Sequence, residues 1–140
     1  MSAIDVSGDG GVLVTVTSPG PGPKPQQGQI VFAHYKGTLK DGSVFDCSRD
    51  KPHRRETGFY FPLGGGAVIP AWDLGFAAMT VGSRAVIEAR HDYAYGERGM
   101  PESGIPERAV LLFEVELLDA KTMTAAEVRE VDAKVAALRR

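Results

Sequence analysis

The sequence predicts an α+β fold, in which an antiparallel β-sheet carries a helix on one face. About five short segments show the β-branched residues or the two-residue alternation of strands, and one short segment between them has helical spacing. Strand and helix patterns do not alternate along the chain, as a parallel sheet would require, and no segment is repeated. At 140 residues, the chain fits one domain with an appendage.

The first third of the chain predicts three strands. Residues 1–11 are rich in glycine and are expected to be flexible, whereas residues 12–17 alternate apolar residues with threonine, as strands do. Residues 18–25 contain four prolines, which exclude a helix or a central strand. Residues 29–39 are apolar on both faces, which predicts a central strand in a covered sheet. An Asp-Gly turn then leads to a short strand at residues 44–48.

The middle of the chain changes from strand to helix. Residues 59–63 form an aromatic strand, whose proline implies an edge position or a bulge. Three glycines follow, and Pro70 is suited to the first turn of a helix because that position needs no amide hydrogen. Trp72, Phe76 and Met79 then recur with helical spacing, so we expect them on one buried face.

Two further strands are separated by a long loop. Residues 84–90 and 109–118 alternate in the manner of strands, and the second is the most apolar of the chain. The predicted core face of that last strand consists of Leu111, Phe113, Val115 and Leu117. Residues 91–107 between the strands are punctuated by glycine and proline, and a loop of this length in a small domain is usually functional.

The C-terminal residues 120–140 predict an amphipathic helix. Thr124 and Glu127 have the spacing of a capping box, in which each side chain hydrogen-bonds to the other residue's amide. The apolar residues that follow at a spacing of three and four are Val128, Val131, Val135 and Leu138. A helix of about 15 residues is marginal in isolation, so this one should dock on the domain, bind a protein partner or fray.

Composition excludes several classes of function. The net charge of -2 and the pI near 5.9 do not suggest general nucleic-acid binding, and the basic residues of segment 49–55 are expected to be solvated. No apolar run approaches the ~18 residues of a membrane helix, and residues 1–11 do not resemble a secretory signal. The single Cys47 fits a reducing compartment, so we expect a cytoplasmic protein.

The usual catalytic groupings are missing from the sequence. His34, His53 and His91 lack the spacing of metal ligands, and Cys47 alone cannot complete a zinc site. The glycines at 64–66 precede a helix but lack the lysine of a phosphate-binding loop. We therefore predict no metal and no cofactor. Aromatic and aliphatic residues are concentrated instead on loops and strand ends, where some of them are expected to do more than fill the core.

Seven motifs occur in order along the chain and resemble one known family. They are Val31-x-x-His-Tyr35, Gly37-x-Leu-x-Asp-Gly-x-x-Phe-Asp-x-Ser-Arg49, Val68-Ile-x-x-Trp72, Met79-x-Val-Gly-x-Arg84, Asp92-Tyr-Ala-Tyr-Gly96, Gly104-Ile-Pro106 and Leu111-x-Phe-x-Val-Glu-Leu117. Together they resemble the FKBP family, the immunophilins that bind tacrolimus and rapamycin. The resemblance covers residues 12–118, so residues 12–119 are predicted to be the isomerase domain.

The resemblance implies a peptidyl-prolyl cis-trans isomerase (EC 5.2.1.8) whose twisted antiparallel sheet wraps around the short helix, with the substrate pocket between them. Trp72 would be the floor of the pocket. Its aromatic walls would be Tyr35, Phe59 and Phe113. Val68 and Ile69 would flank the bound proline, and the backbone N–H of Ile69 would donate to a ligand carbonyl.

The resemblance also assigns the polar groups and the rim. Tyr95 would donate its hydroxyl and Asp46 would accept or polarise, while Phe45 and Ile105 would complete the rim. The residues assigned to catalysis are Asp46, Tyr95, Trp72 and Phe45. The chain departs from the usual pattern at Met100, where a histidine is common, and in the loop 49–58, which is longer and more basic.

Isomerisation explains why no acid–base pair is needed. Rotation about an X-Pro bond breaks no covalent bond, and its barrier of ~18–20 kcal/mol is the lost amide resonance of the twisted state. A dry pocket that binds the twisted amide better than the planar one lowers this barrier. The expected partners are proline-containing peptides and proteins, together with tacrolimus and rapamycin. The alternative is a non-catalytic peptide- or protein-binding module or chaperone with the same pocket.

Overall fold

A computed structural model describes residues 2–139, which form one antiparallel sheet with two helices. The strands are β1 (Ile4–Asp5), β2 (Val12–Ser18), β3 (Ile30–Leu39), β4 (Val44–Cys47), β5 (Phe59–Pro62), β6 (Arg84–Ala89) and β7 (Leu111–Lys121). The helices are α1 (Pro70–Ala77) and α2 (Ala125–Leu138). The predicted α+β class is confirmed, and within residues 2–139 no helix is both long and apolar enough to cross a bilayer.

The sheet is organised around β3. Its strand order is β1-β2-β6-β7-β3-β4, and β5 also pairs with β3. β7 runs along one side of β3, whereas β5 pairs with its first half and β4 with its second half. All six residues from Ile30 to Tyr35 are buried, as the apolar character of both faces predicts. Tyr35 thereby projects from the middle of the sheet into the core.

α1 covers one face of the sheet and builds the core with it. Pro70 occupies the first helical position, and Trp72 and Phe76 are buried against the strands. Met79, two residues beyond the end of α1, is 1% exposed and completes the predicted apolar face. Every second residue of β6 faces α1 and the core, as the burial of Ala85 and Ile87 shows.

The glycine-rich N-terminal segment contains a short strand and a hydrogen-bonded turn, and its flexibility stays a prediction. Asp5 belongs to β1 and pairs with Leu13 of β2. The Asp5 carboxylate also accepts hydrogen bonds from the backbone N–H groups of Ser7 at 3.1 Å, Gly8 at 2.9 Å and Gly10 at 2.8 Å. The carboxylate of Asp5 therefore accepts from three backbone N–H groups of this glycine-rich turn.

The C-terminal helix docks on the outer side of the domain. Its capping box is present: Thr124 Oγ1 accepts from the Glu127 amide at 3.1 Å, and Glu127 accepts from the Thr124 amide at 2.9 Å. The apolar stripe is only partly covered, since Val135 is 5% exposed and Leu138 is 48% exposed. Of the three arrangements considered from the sequence, docking on the domain is the one observed.

Candidate active site

A pocket of about 390 Å³ opens between the sheet and the N-terminal end of α1. Its lining residues are Tyr35, Phe45, Asp46, Phe59, Ala67, Val68, Ile69, Trp72, Tyr95 and Phe113. The structure thus brings together all the predicted site residues except Ile105. They come from β3, β4, β5, β7, α1, the loop before α1 and the loop after β6, so the pocket depends on the complete fold.

The base of the pocket is a set of aromatic rings around Trp72. The first turn of α1 presents the indole to the strands, where it lies 4.9 Å from the ring of Tyr35 between centroids. Phe59 and Phe113 lie 5.6 Å and 5.4 Å from it, at steep angles of 75° and 84°. Such edge-to-face packing is a favoured arrangement of aromatic pairs. The result is a largely apolar cup with Trp72 at its base.

One edge of the pocket carries a charged network. The Tyr35 hydroxyl donates to Asp46 Oδ2 at 2.7 Å, and Lys51 Nζ donates to Asp46 Oδ1 at 2.5 Å and to the Tyr35 hydroxyl at 3.2 Å. Burial and then the hydrogen bond to Asp46 raise the pKa of Tyr35. Burial alone would lower the pKa of Lys51, but the hydrogen bonds to Asp46 and Tyr35 outweigh it and raise the pKa. The carboxylate is therefore fixed by two donors.

Lys51 was not singled out from the sequence. The only signal was its place in the basic loop 49–58, and the sequence pattern does not distinguish it from the other basic residues of that loop. Tyr35 was assigned only an aromatic role, although its hydroxyl also contacts Asp46. Both side chains of the Lys51–Asp46 pair stay partly exposed, at 40% and 36%, so the pair contributes more to geometry than to stability.

Two donors at the pocket remain available to a ligand. The Tyr95 hydroxyl has no hydrogen-bond partner within residues 2–139, and burial, followed by the charge of Asp46, raises the pKa of Tyr95. The backbone N–H of Ile69 also lacks a partner in this part of the chain. Ile69 is the residue before α1, and its carbonyl accepts from the Trp72 amide at 2.9 Å. Both groups were expected to donate to a ligand.

The loop that carries Val68 and Ile69 is held by a residue that sequence reasoning missed. Gly64 and Gly66 adopt φ values of +85° and +75°, which non-glycine residues rarely adopt. The Asp73 carboxylate accepts from their amides at 2.8 Å and 3.1 Å. An acidic residue in the first turn of α1 was the available signal, since helix N-termini favour negative charge. Asp73 ties the glycine bend to the helix that carries Trp72.

Ile105 lines a cavity next to the pocket, and its assignment to the rim stays a prediction. It is 2% exposed and lines a neighbouring cavity of about 330 Å³. The two cavities share Phe45, Asp46 and Tyr95. The backbone of Ile105 is held by a tight turn, in which the Met100 amide donates to the Ile105 carbonyl at 2.9 Å and the Ile105 amide donates to the Met100 carbonyl at 3.1 Å.

His34 is a packed residue, as expected for an isolated histidine in a strand. Its Nδ1 lies 2.8 Å from Ser48 Oγ, and its Nε2 lies 3.2 Å from the carbonyl oxygen of Arg55. Burial and then the charge of Arg49 lower the pKa of His34, so the ring is neutral at pH 7. Among residues 2–139, no three His, Cys, Asp or Glu side chains are arranged to hold a metal ion.

A sequence model described as FKBP-type peptidyl-prolyl cis-trans isomerase matches residues 22–118. The chain belongs to this family. The enzyme class predicted from the seven motifs is therefore confirmed, and the chain is an FKBP-type peptidyl-prolyl cis-trans isomerase. The matched residues include every pocket residue, whereas α2 lies beyond them.

Individual relatives extend this finding. Peptidyl-prolyl cis-trans isomerase Fkbp12 of Drosophila melanogaster is 50% identical over 93 residues, covering 66% of this chain and 82% of the relative. Peptidyl-prolyl cis-trans isomerase FKBP20-1 of Arabidopsis thaliana is 40% identical over 140 residues, covering 97% of this chain and 71% of the relative. The similarity to the second relative thus extends outside the FKBP domain, into the terminal segments.

Solved structures show the same fold. A peptidyl-prolyl cis-trans isomerase from Pseudomonas syringae pv. tomato str. DC3000 has a TM-score of 0.71 at 31% identity, over 85% of this chain and 80% of that chain. The crystal structure of AtFKBP13 has a TM-score of 0.70 at 34% identity, over 79% of this chain and 94% of that chain. The sheet and α1 that frame the pocket therefore form an FKBP fold.

Proposed function

We propose that this FKBP-type enzyme accelerates X-Pro isomerisation in folding proteins, and that tacrolimus and rapamycin bind in the same pocket. The observation that carries the proposal is the aromatic cup over Trp72, with the unpartnered N–H of Ile69 and hydroxyl of Tyr95 at its mouth. A proline ring on the indole would leave its preceding amide between these two donors.

The geometry suits a reaction that needs no proton transfer. The barrier of ~18–20 kcal/mol to rotation comes from lost amide resonance, and the planar amide is more polar than the twisted one. A pocket walled by Tyr35, Phe59 and Phe113 offers little solvation to the planar dipole and so favours the twisted state. Hydrogen bonds from Ile69 and Tyr95 would hold the chain on either side of the rotating bond.

The charged edge has a complementary role. Lys51 balances Asp46, so the pocket mouth presents a fixed dipole and little net charge to an approaching peptide carbonyl. The Tyr35 hydroxyl is occupied by Asp46, which leaves Tyr95 as the hydroxyl that serves the ligand. Asp46 then acts by orienting neighbouring dipoles and not as an acid or base.

Macrolide binding requires the same features. Tacrolimus and rapamycin would place an apolar ring over Trp72 and use the donors of Ile69 and Tyr95, so they should compete with peptide substrates. We further propose a cytoplasmic location, which the single half-buried Cys47 supports. A protein partner for α2 is proposed on the exposed end of its apolar stripe, where Leu138 is 48% exposed.

Isomerase rates on an X-Pro peptide, measured by protease-coupled assay or NMR exchange with and without rapamycin, test the proposal. Catalysis above the uncatalysed rate, abolished by stoichiometric rapamycin, is the expected result. Macrolide binding without rate enhancement would favour the binding-module alternative. Catalysis that rapamycin leaves unchanged would place the macrolide outside this pocket.

A further inference from the structure

We propose that Asp132 and Tyr60 are positioning residues for the active site, because α2 holds the loop that carries Lys51 against the pocket. This inference rests on the proposed function, since it assigns regulation of the same site to an element outside the FKBP domain. The segment 49–58 is called the basic loop below. Its position decides whether the Lys51 ammonium reaches Asp46.

The first step of the coupling is the backbone of Lys51. The Lys51 amide donates to the Ser48 carbonyl at 3.2 Å, and the Lys51 carbonyl accepts from the Arg54 amide at 2.9 Å. Lys51 is thus the residue before a short helical turn, Pro52–Arg54. Its side chain points the other way, towards Asp46 and Tyr35 at the pocket. Displacing the turn therefore displaces the ammonium.

The second step is the contact between that turn and β5. The Arg54 guanidinium lies over the rings of both Phe59 and Tyr60, with 5.2 Å to each centroid. The Arg54 carbonyl also accepts from the Gly58 amide at 2.8 Å, which closes the end of the basic loop. Phe59 is a wall of the pocket, whereas Tyr60 faces α2. Arg54 therefore contacts both the pocket wall at Phe59 and the residue that faces α2, Tyr60.

The third step is α2 itself. The helix packs against the turn Pro52–Arg54, and the Tyr60 hydroxyl donates to Asp132 Oδ1 at 2.5 Å. Burial and then the hydrogen bond to Asp132 raise the pKa of Tyr60, while the charge of Arg54 opposes this, as expected where both charges flank the hydroxyl. Asp132 thereby joins α2 to Tyr60, the residue over whose ring the Arg54 guanidinium lies.

Each element contributes to the ordering of the other. The basic loop is mostly charged and polar, and such segments open locally at low free-energy cost. α2, with 14 residues, is too short to be a stable helix in isolation. Their contact orders both, so a change on α2 is transmitted through Tyr60 and Arg54 to Lys51.

The test uses full-length variants with matched controls. Asp132→Ala and Tyr60→Phe remove the contact, Asp132→Asn retains an acceptor for the Tyr60 hydroxyl, and Glu130→Ala removes an exposed charge from the same helix. We expect the first two to accelerate amide hydrogen exchange in residues 51–58 by about fivefold and to lower kcat/KM by about twofold to fivefold. Asp132→Asn should recover most of both effects, and Glu130→Ala should change neither.

A double-mutant cycle identifies the route. In a Lys51→Met background, Asp132→Ala should still accelerate exchange but should no longer lower kcat/KM, because the group that it positions is absent. Equal losses of kcat/KM in both backgrounds, or unchanged exchange in Asp132→Ala, would overturn the proposal. If the wild-type protein showed no isomerase activity, the proposed function would fail, whereas the exchange measurement would still decide whether α2 orders the basic loop.

Discussion

Gly75 lets α1 lie close against β6, and its replacement is the sharpest test of how the pocket floor is held. A Cβ at Gly75 would lie 2.7 Å from Ile87 Cδ1 and 3.2 Å from both Cγ1 and Cγ2 of Ile87. Rotation of the Ile87 side chain about χ2 moves Cδ1 but neither Cγ atom. Because Ile87 is fully buried, it cannot retreat without disturbing its neighbours. We therefore expect Gly75→Ala to destabilise the protein.

Two effects of opposite sign set the magnitude. Overpacking a close-packed core costs about 1–3 kcal/mol, whereas replacing glycine by alanine within a helix gains about 1 kcal/mol. Steric crowding wins, and the free energy of unfolding should fall by about 1 kcal/mol, which lowers Tm by about 3–5 °C. In an Ile87→Val background Cδ1 is absent, and the space lets the remaining methyl groups move by a few tenths of an ångström. There Gly75→Ala should be about 1 kcal/mol less unfavourable.

Urea and thermal unfolding followed by circular dichroism measure all four proteins of this cycle. Gly65→Ala is the control, because nothing lies within 4 Å of the Cβ that it would introduce. That substitution should change stability by less than about 0.5 kcal/mol. Equal effects of Gly75→Ala in the two backgrounds, or a stabilised single variant, would show that contact with Ile87 does not limit the approach of α1.

Three further results are expected. Tyr95→Phe should weaken macrolide binding by about fivefold with little change in Tm, by the loss of one hydrogen bond; unchanged affinity in calorimetry would contradict the donor role. Thr124→Ala should destabilise α2 by about 1 kcal/mol, seen as faster amide exchange in that helix and in the basic loop that it contacts. Because folding lowers the pKa of His34 below 6.5, stability should fall as pH drops below about 6.5, where the unfolded chain binds the proton first. A His34→Gln variant should lose that part of the pH dependence in urea titrations.

Short-range patterns predicted the elements well. The alternation of Ala85 and Ile87 along β6 and the spacing of Trp72 and Phe76 along α1 follow directly from the periods of strand and helix, and both pairs are buried as expected. The Thr124 capping box is equally local, and both of its hydrogen bonds are present. In each case the pattern spans only a few residues, over which the geometry of the strand or helix determines which side chains share a face.

Contacts between distant side chains could not be predicted in this way. Tyr60 and Asp132 are 72 positions apart, and their meeting depends on where the segment after β7 turns. Ile105 lines a cavity beside the pocket, a placement that its motif alone does not give. The hydrogen bonds of the Asp5 carboxylate were likewise not predicted, because glycine-rich composition does not show which amides a carboxylate will bind.

The sequence by itself determined the family, the fold class and most of the pocket's members, because ordered motifs and hydrophobic periodicity record which residues must be buried together. Only the tertiary structure decided the polar arrangement around that pocket. It places Lys51 on Asp46, gives the Tyr95 hydroxyl and the Ile69 amide no hydrogen-bond partner among residues 2–139, and sets α2 against the basic loop. Burial follows from local pattern, but the pairing of charges depends on distances of a few ångströms that the paths of the loops set.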